Sequence, residues 1–386
     1  SFCFFMKQKL LFAGMAAIAA LTSCSNDEAL EINKGHAIGF RTAMASRATE
    51  TTTANLEGFF VTAFNESTNP YFADLEFKKG TGDLFESDTK YYYPGDARPL
   101  TFYAYAPSKT ALGGTMTITQ DEQKLEGFEP KANISAQVDF IAEVAKGDAT
   151  NDGANGAYLE FSHCLSQIEV KAKSGNTSYD FEVKGVRIGC VGSKGDFTFP
   201  TFSDEGTEEP GTWTLTENLK ASYDKTLDAA VKLSTDAVSL MAGDNAMLIP
   251  QQLIAWDTDE QQNAGKGAYI AVLVKITTKS GAQVYPFASD PTDANAGYAW
   301  AAIPVSTLWE AGKKYVYTLN FTTGAGYVDP TEDYMPGVPI LVGEIKFNVT
   351  VDDWTEETAG NDIDMPNHSG EDYNPDENDT EDPFGD

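Results

Sequence analysis

The chain reads as all-β, built as two β-sandwich domains in tandem, and three observations lead there. From Leu56 onward short apolar segments alternate with turn clusters rich in Gly, Asn, Asp and Pro. Hardly any stretch keeps a helical period, and several segments alternate apolar with polar residues in period two. Many short strands at this spacing argue for sandwiches, and 386 residues leave room for two domains. Hydrophobic residues at 41% and aromatics at 12% are enough to fill two cores. The formal net charge of -31 excludes nucleic acid as a partner, because phosphate binding is driven by clusters of Lys and Arg.

The first segment is a targeting signal. Met6 is the expected start, so residues 1–5 are set aside as spurious. Lys7 and Lys9 precede an apolar run at 10–21 broken by Gly14, and Leu21-Thr22-Ser23-Cys24 follows. A basic n-region, an apolar h-region of about 12 residues and a small-residue cleavage site define a signal peptide over 1–23. The run is too short to span a bilayer, which takes roughly 20 apolar residues. L-T-S-C resembles the bacterial lipobox, in which signal peptidase II cuts before the cysteine and Cys24 carries diacylglycerol. Several acyl chains on one residue anchor a precursor stably. Ser25-Asn26-Asp27-Glu28 resembles the surface-export signal of lipoproteins from Gram-negative anaerobes.

Residues 24–47 follow as a leader. Within 36–44, Ile38 and Phe40 fall on one face and Ala37, Gly39 and Arg41 on the other, which is a short strand with a small apolar face. The loop at 43–53 is small and polar, the make-up of loops that proteases cut, and carries Arg47 before Ala48. On composition alone Arg47 reads as a solvated loop charge.

An N-terminal sandwich is expected over 48–155. Residues 56–64 form a buried-type run, and Tyr91-Tyr92-Tyr93 reads as a strand entering a turn at Pro94-Gly95. Residues 100–106 alternate Phe102, Ala104 and Ala106 against Tyr103 and Tyr105, and Pro107 stops them. Strands follow at 115–119 and 138–144, and the Gly- and Asn-rich loop at 146–156 reads as the domain boundary.

The C-terminal sandwich is expected over 156–354. Residues 158–173 form a strand with a shift of apolar phase between Leu165 and Ile168 that predicts a bulge, and 179–190 reads as its antiparallel partner. The nearly continuous apolar run at 267–277 predicts a central strand covered on both faces. Residues 314–321 place Tyr315, Tyr317, Leu319 and Phe321 on one side. Residues 343–354 set Ile345, Phe347, Val349 and Val351 against Glu344, Lys346, Asn348 and Thr350. The tail at 355–386 has no Lys or Arg and few large apolar side chains, so it is expected to be disordered.

No motif assembles an active site, and no cofactor or metal is expected. The histidines are His36, His163 and His368, and there is no H-E-x-x-H, C-x-x-C, G-x-S-x-G or Walker loop. His163 reads as a strand histidine with a local hydrogen-bond partner. Asp148, Thr150, Asp152 and Gly153 open like a calcium loop, but the closing glutamate belongs at Leu159 and Glu160 is one residue late, which favours a polar turn. Tyr91–Tyr93 reads as half-buried sandwich surface more readily than as a platform for sugar rings. With Cys3 outside the expected product and Cys24 assigned to lipid, Cys164 and Cys190 remain. In an exported chain they either pair as a disulfide or pack as small buried hydrophobes.

Several segments together resemble the fimbrillin family, also called Mfa-like, the type V pilus subunits of Gram-negative gut and oral anaerobes. They are the lipobox at Cys24; I-G-F-R-T-A-M from Ile38 with S-R-A-T around Arg47; Y-Y-Y-P-G-D-A-R-P-L-T-F-Y-A-Y-A-P from Tyr91; F-S-H-C-L-S-Q-I-E-V from Phe161; M-L-I-P-Q-Q-L from Met247; K-K-Y-V-Y-T-L-N-F from Lys313; and V-D-D-W from Val351. They keep the family's order over nearly the whole mature chain. The resemblance implies two transthyretin-like Greek-key β-sandwich domains and export as an outer-membrane lipoprotein to the cell surface. It further implies removal of the leader by a trypsin-like protease, here after Arg47, with Arg41 a poorer cut inside the strand. Loss of Ile38 and Phe40 then opens a groove for donor-strand exchange with other subunits, of the same or another kind, to build a fimbria that contributes to adhesion to a host glycan or protein. The donor is implied to be C-terminal: the Ile345, Phe347, Val349 and Val351 strand, or the run at 338–342 before it. The acidic tail is longer than a shaft subunit calls for, and Cys164 stands where the family has an aliphatic residue. The alternative is a monomeric surface lipoprotein that binds glycans on an uncleaved tether.

Overall fold

A computed structural model of the chain describes residues 35, 37–44, 55–80, 82, 84–96, 98–258, 267–287, 297–341 and 345–353, with 352 and 353 as backbone alone. The expected signal peptide, Cys24, Arg47, Ala48 and the acidic tail lie outside the described residues.

The described residues begin with β1 (Phe40–Met44), β2 (Gly58–Phe64), β3 (Phe72–Lys79), β4 (Phe85–Glu86) and β5 (Leu100–Ala106). A helical turn, α1 (Lys109–Leu112), leads to a hairpin of β6 (Thr115–Ile118) and β7 (Gln123–Phe128) that leaves this sheet. Strand β8 (Ile141–Gly147), a second helical turn α2 (Ala149–Asp152) and β9 (Ala157–His163) complete it. The sheet closes on itself as a barrel in the order β1-β4-β3-β2-β5-β8-β9. Its interior is aromatic, packed with Phe40, Phe59, Phe77, Phe85, Phe102 and Phe161.

Beyond His163 the chain runs through β10 (Ser166–Lys173), β11 (Tyr179–Gly192), β12 (Gly195–Thr198), β13 (Thr201–Phe202), β14 (Glu208–Glu209), β15 (Thr212–Leu215), β16 (Lys220–Lys232), β17 (Val238–Ser239) and β18 (Ala246–Leu248). The described residues end with β19 (Tyr269–Thr278), β20 (Gln283–Tyr285), β21 (Ala299–Pro304), β22 (Lys313–Asn320), β23 (Tyr327–Val328) and β24 (Lys346–Asp353). Two sheets face each other, one ordered β17-β10-β22-β24 and the other β16-β11-β19-β21-β23. Ile168, Val170, Tyr315 and Tyr317 of the first meet Val186, Ile188, Ile270 and Val272 of the second. Strand β19 is central and covered on both faces: Ile270 and Val272 enter this core, while Tyr269, Ala271 and Leu273 pack outward against Trp256 and Trp300.

The all-β class holds, and several details differ from the sequence reading. The first unit is a closed barrel because β1 bridges β4 and β9 and leaves no open pair of sheets. Ala157–His163, expected to open the second sandwich, completes the first sheet, so the loop at 146–156 lies inside the first unit. The phase shift at Leu165 to Ile168 is a break between β9 and β10, where the chain passes from barrel to sandwich. Strand β11 pairs with β16 and β19 and not with β10, because an apolar strand pair can also face each other across a core. Tyr91–Tyr93, expected as a strand, has no ladder among the described residues.

A third core joins the two units. The hairpin β6–β7 pairs with β12 in a sheet ordered β15-β12-β7-β6. Leu125, Phe128 and Phe197 of that sheet cover Tyr103, Tyr105 and Val144 on the barrel's outer face, together with Met247 and Ile249.

Candidate functional site: the N-terminal strand and its groove

Strand β1 is held by what lies on both sides of it. It runs parallel to β9, with Phe40 opposite Ala157 and Met44 opposite Phe161, and meets β4 antiparallel where Phe40 faces Phe85. Ahead of the strand, the Ile38 amide donates to the Tyr91 carbonyl at 2.7 Å, and the Ala157 amide donates to the Gly39 carbonyl at 2.9 Å. Gly39 and Gly156 permit this close crossing. A Cβ on Gly156, whose φ is +77, would stand 2.7 Å from Leu84 Cδ1 and 2.9 Å from the Gly39 oxygen.

The inward face of β1 is core. Ile38 is 2% exposed and Phe40 0%. The Phe40 ring packs edge-on against Phe77 at 4.7 Å, Phe102 at 5.0 Å and Phe59 at 5.8 Å between centroids. Burying each such side chain stabilises by roughly 1.5–3 kcal/mol, and edge-to-face ring pairs add about 0.5–1.5 kcal/mol each. Arg41 points outward and is exposed, but its backbone lies in the β9 ladder opposite Tyr158, a poor geometry for a protease.

The groove that β1 fills is therefore walled by β9 on one side and β4 on the other, with phenylalanines as its floor. Tyr93 is buried beside it, and Tyr91 packs against the same core. Burial pushes the Tyr93 hydroxyl's pKa up, and the charges of Asp152 and Asp148 push the same way. The aromatic run at 91–93 thus lines the start of the N-terminal strand and is no open platform for sugar rings. Sequence reading missed the β9 wall, whose A-Y-L-E-F-S-H alternation was the available signal, and the two-residue β4, for which there was none.

The candidate donor strand sits elsewhere. β24 pairs with β22 along its full 8 residues, from Lys346 opposite Asn320 to Asp353 opposite Lys313, and is the edge of its sheet among the described residues. Ile345 is buried and Val349 half-buried against the sandwich core, whereas Phe347 is 40% and Val351 38% exposed.

The two remaining cysteines form no disulfide. Both are free and buried, Cys164 in the core between the units and Cys190 beneath Trp256 and Trp300. Burial pushes both thiols' pKa up, away from the reactive thiolate. His163 is a buried strand histidine with Nδ1 3.1 Å from Asp139 Oδ1. Asp148 spends its carboxylate on the amides of Thr150 and Asn151 as the cap of α2.

Comparisons with known proteins agree with this architecture. A curated relative, the fimbrium subunit Fim1C of Phocaeicola vulgatus, is 32% identical over 198 residues, covering 44% of this chain. The chain spans about half the length of that relative, 52%. The crystal structure of a fimbrial protein from Bacteroides vulgatus superposes with a TM-score of 0.52 at 18% identity, over 83% of this chain and 100% of the other, a likeness of fold. The sequence model of the fimbrillin-like family matches residues 46–354, most of the molecule, and the chain belongs to that family.

Proposed function

We propose that this chain is a structural subunit of a cell-surface fimbria, exported as a lipoprotein on Cys24, cut after Arg47 by a trypsin-like protease and assembled by donor-strand exchange. As a precursor it is anchored in the outer membrane, and as part of the fimbria it contributes to adhesion to a host glycan or protein. The observation that carries the reading is β1 itself. It completes a phenylalanine core yet belongs to a segment that precedes the family-matched region, which begins at residue 46. Removing it by a cut at Arg47 leaves the β9 backbone unpaired at Ala157 to Phe161 above an apolar slot, an edge that invites an incoming strand. Exchange of this kind is head-to-tail and does not close, so it grows filaments.

Brief trypsin treatment of the purified chain tests this. The expected outcome is a new N-terminus at Ala48 together with oligomers or filaments under the electron microscope. A cleaved chain that stays monomeric and is retarded in an affinity gel containing glycan would point to a tethered glycan-binding protein instead.

A further inference from the structure

We propose that the cleft between the β6–β7 hairpin and the start of β16 binds a short neutral saccharide, whose neighbouring hydroxyls are held by Tyr223, Glu129 and Lys194. The proposal rests on the adhesive role proposed above and gives it a site and a ligand class. It does not involve strand exchange, because no residue of β1, β4 or β9 lines the cleft.

The cleft measures about 570 Å³, inside the range of roughly 300–1,000 Å³ of small-molecule sites. The end of α1, the chain leaving β7, the chain leaving β11 and the start of β16 meet there. The chain leaving β7 is held at both ends: the Gly127 amide donates to Asp196 Oδ1 at 2.7 Å, and Asn133 bridges Asp224 of β16. Gly127 has a φ of +69, and a Cβ on it would stand 3.4 Å from Lys194 Cε. Lys194 passes over this bare backbone, and its Nζ donates to Glu129 Oε1 at 2.6 Å.

Tyr223 is what points to a ligand. It lines the cleft and is 1% exposed, yet its hydroxyl has no hydrogen-bond partner, a costly state for a buried polar group. Burial first, then the charge of Glu129, push its pKa up, so the hydroxyl keeps its proton for donation. A sugar hydroxyl donates and accepts at once. The Lys194 ammonium against the Glu129 carboxylate sets a donor beside an acceptor, the pairing that two adjacent hydroxyls require, and Tyr223 adds a further donor. Leu112, Pro130, Ala132 and Ala221 supply apolar surface for the C–H face of a ring. Other ligands fit less well. An anion meets the Glu129 carboxylate, and a wholly apolar molecule leaves Tyr223 unpaired and strips water from the ion pair.

Binding by the full, uncleaved chain tests this apart from assembly. The chain is applied to a glycan array, and lactose, maltose, cellobiose and N-acetyllactosamine are titrated by calorimetry. The expected result is retention of neutral oligosaccharides on the array and binding of at least one of these disaccharides. Tyr223→Phe should weaken that binding about fivefold and Glu129→Gln roughly tenfold or more, the usual worth of a neutral and a charged hydrogen bond, with the melting temperature unchanged. Ala132 is exposed, so Ala132→Trp should fold normally, fill the cleft and abolish binding. Binding that survives Ala132→Trp overturns the site. Retention of sulfated or carboxylated glycans alone overturns the neutral class, and retention of no glycan overturns the saccharide as ligand. A chain that builds filaments but binds no saccharide sinks the cleft and leaves the fimbrial role standing, whereas one that binds yet never assembles does the reverse.

Discussion

Phe40 gives its whole ring to the barrel interior, so Phe40→Ala in the uncleaved chain should cost about 3–5 kcal/mol and lower the melting temperature clearly. On the proposed maturation by a cut after Arg47, the same substitution should have no effect on the assembled material, which would lack the residue. Equal melting of wild-type and variant precursors would show that the strand is not part of the stable core. Glu143 makes a second prediction. It is 6% exposed on β8, and burial first, then the charges of Glu208 and Glu160, push its carboxyl up to about 9. A folded-state value above the unfolded one means that the fold holds the proton more tightly. Its contribution is complete below the unfolded value of 4.5 and is lost as pH rises toward about 9. Denaturant melts at pH 5, 7 and 9 should show Glu143→Gln losing less stability across that range than wild type, and parallel slopes would refute the assignment. Arg187 shows how the sandwich handles a buried acid: it forks onto Asp224 at 2.8 and 2.9 Å, lies over the Trp300 ring at 4.3 Å and stands 3.5 Å from fully buried Asp329. Burial raises the pKa of Asp329, and Arg187 opposes that rise.

Among the elements, β1 and β24 are held in opposite ways. β1 is short, bonded on both edges and inserted in a closed sheet, whereas β24 is longer, bonded on one edge among the described residues and half out of its core. Gly156 makes a close crossing with the N-terminal strand. Gly156→Ala forces a side chain onto a left-handed backbone and into Leu84 and the Gly39 carbonyl, so it should destabilise the precursor by about 1–3 kcal/mol in a denaturant titration. An unchanged midpoint would mean that the crossing is looser than drawn. The alternation of Ile38 and Phe40 was legible because period two is a local property. The ladder to β9 was not, because nothing in a parallel pairing across more than 100 intervening positions is written into either strand alone.

At the scale of the whole molecule, the third core decides how the units behave. Phe128, Phe140 and Phe197 pack between barrel and sandwich, and the Trp213 indole donates to the Cys164 carbonyl at 2.6 Å across the break between them. A shared core of this kind couples the units, so calorimetry of the precursor should show one thermal transition, and Phe140→Ala should move it as a whole. Two separate peaks would show that barrel and sandwich unfold independently.

The sequence by itself determined the all-β class, the alternating faces of the leader and of the last strand, and the apolar central strand, because each depends on which residues follow one another. Only the tertiary structure decided that the first sheet closes into a barrel through β1, that β9 belongs to it, that β10 and β11 part to opposite sheets, and that Cys164 and Cys190 stand in separate cores. Those facts depend on which strand edges meet. An edge presents the same N–H and C=O groups whatever its side chains, so the choice of partner is made by packing across the whole fold.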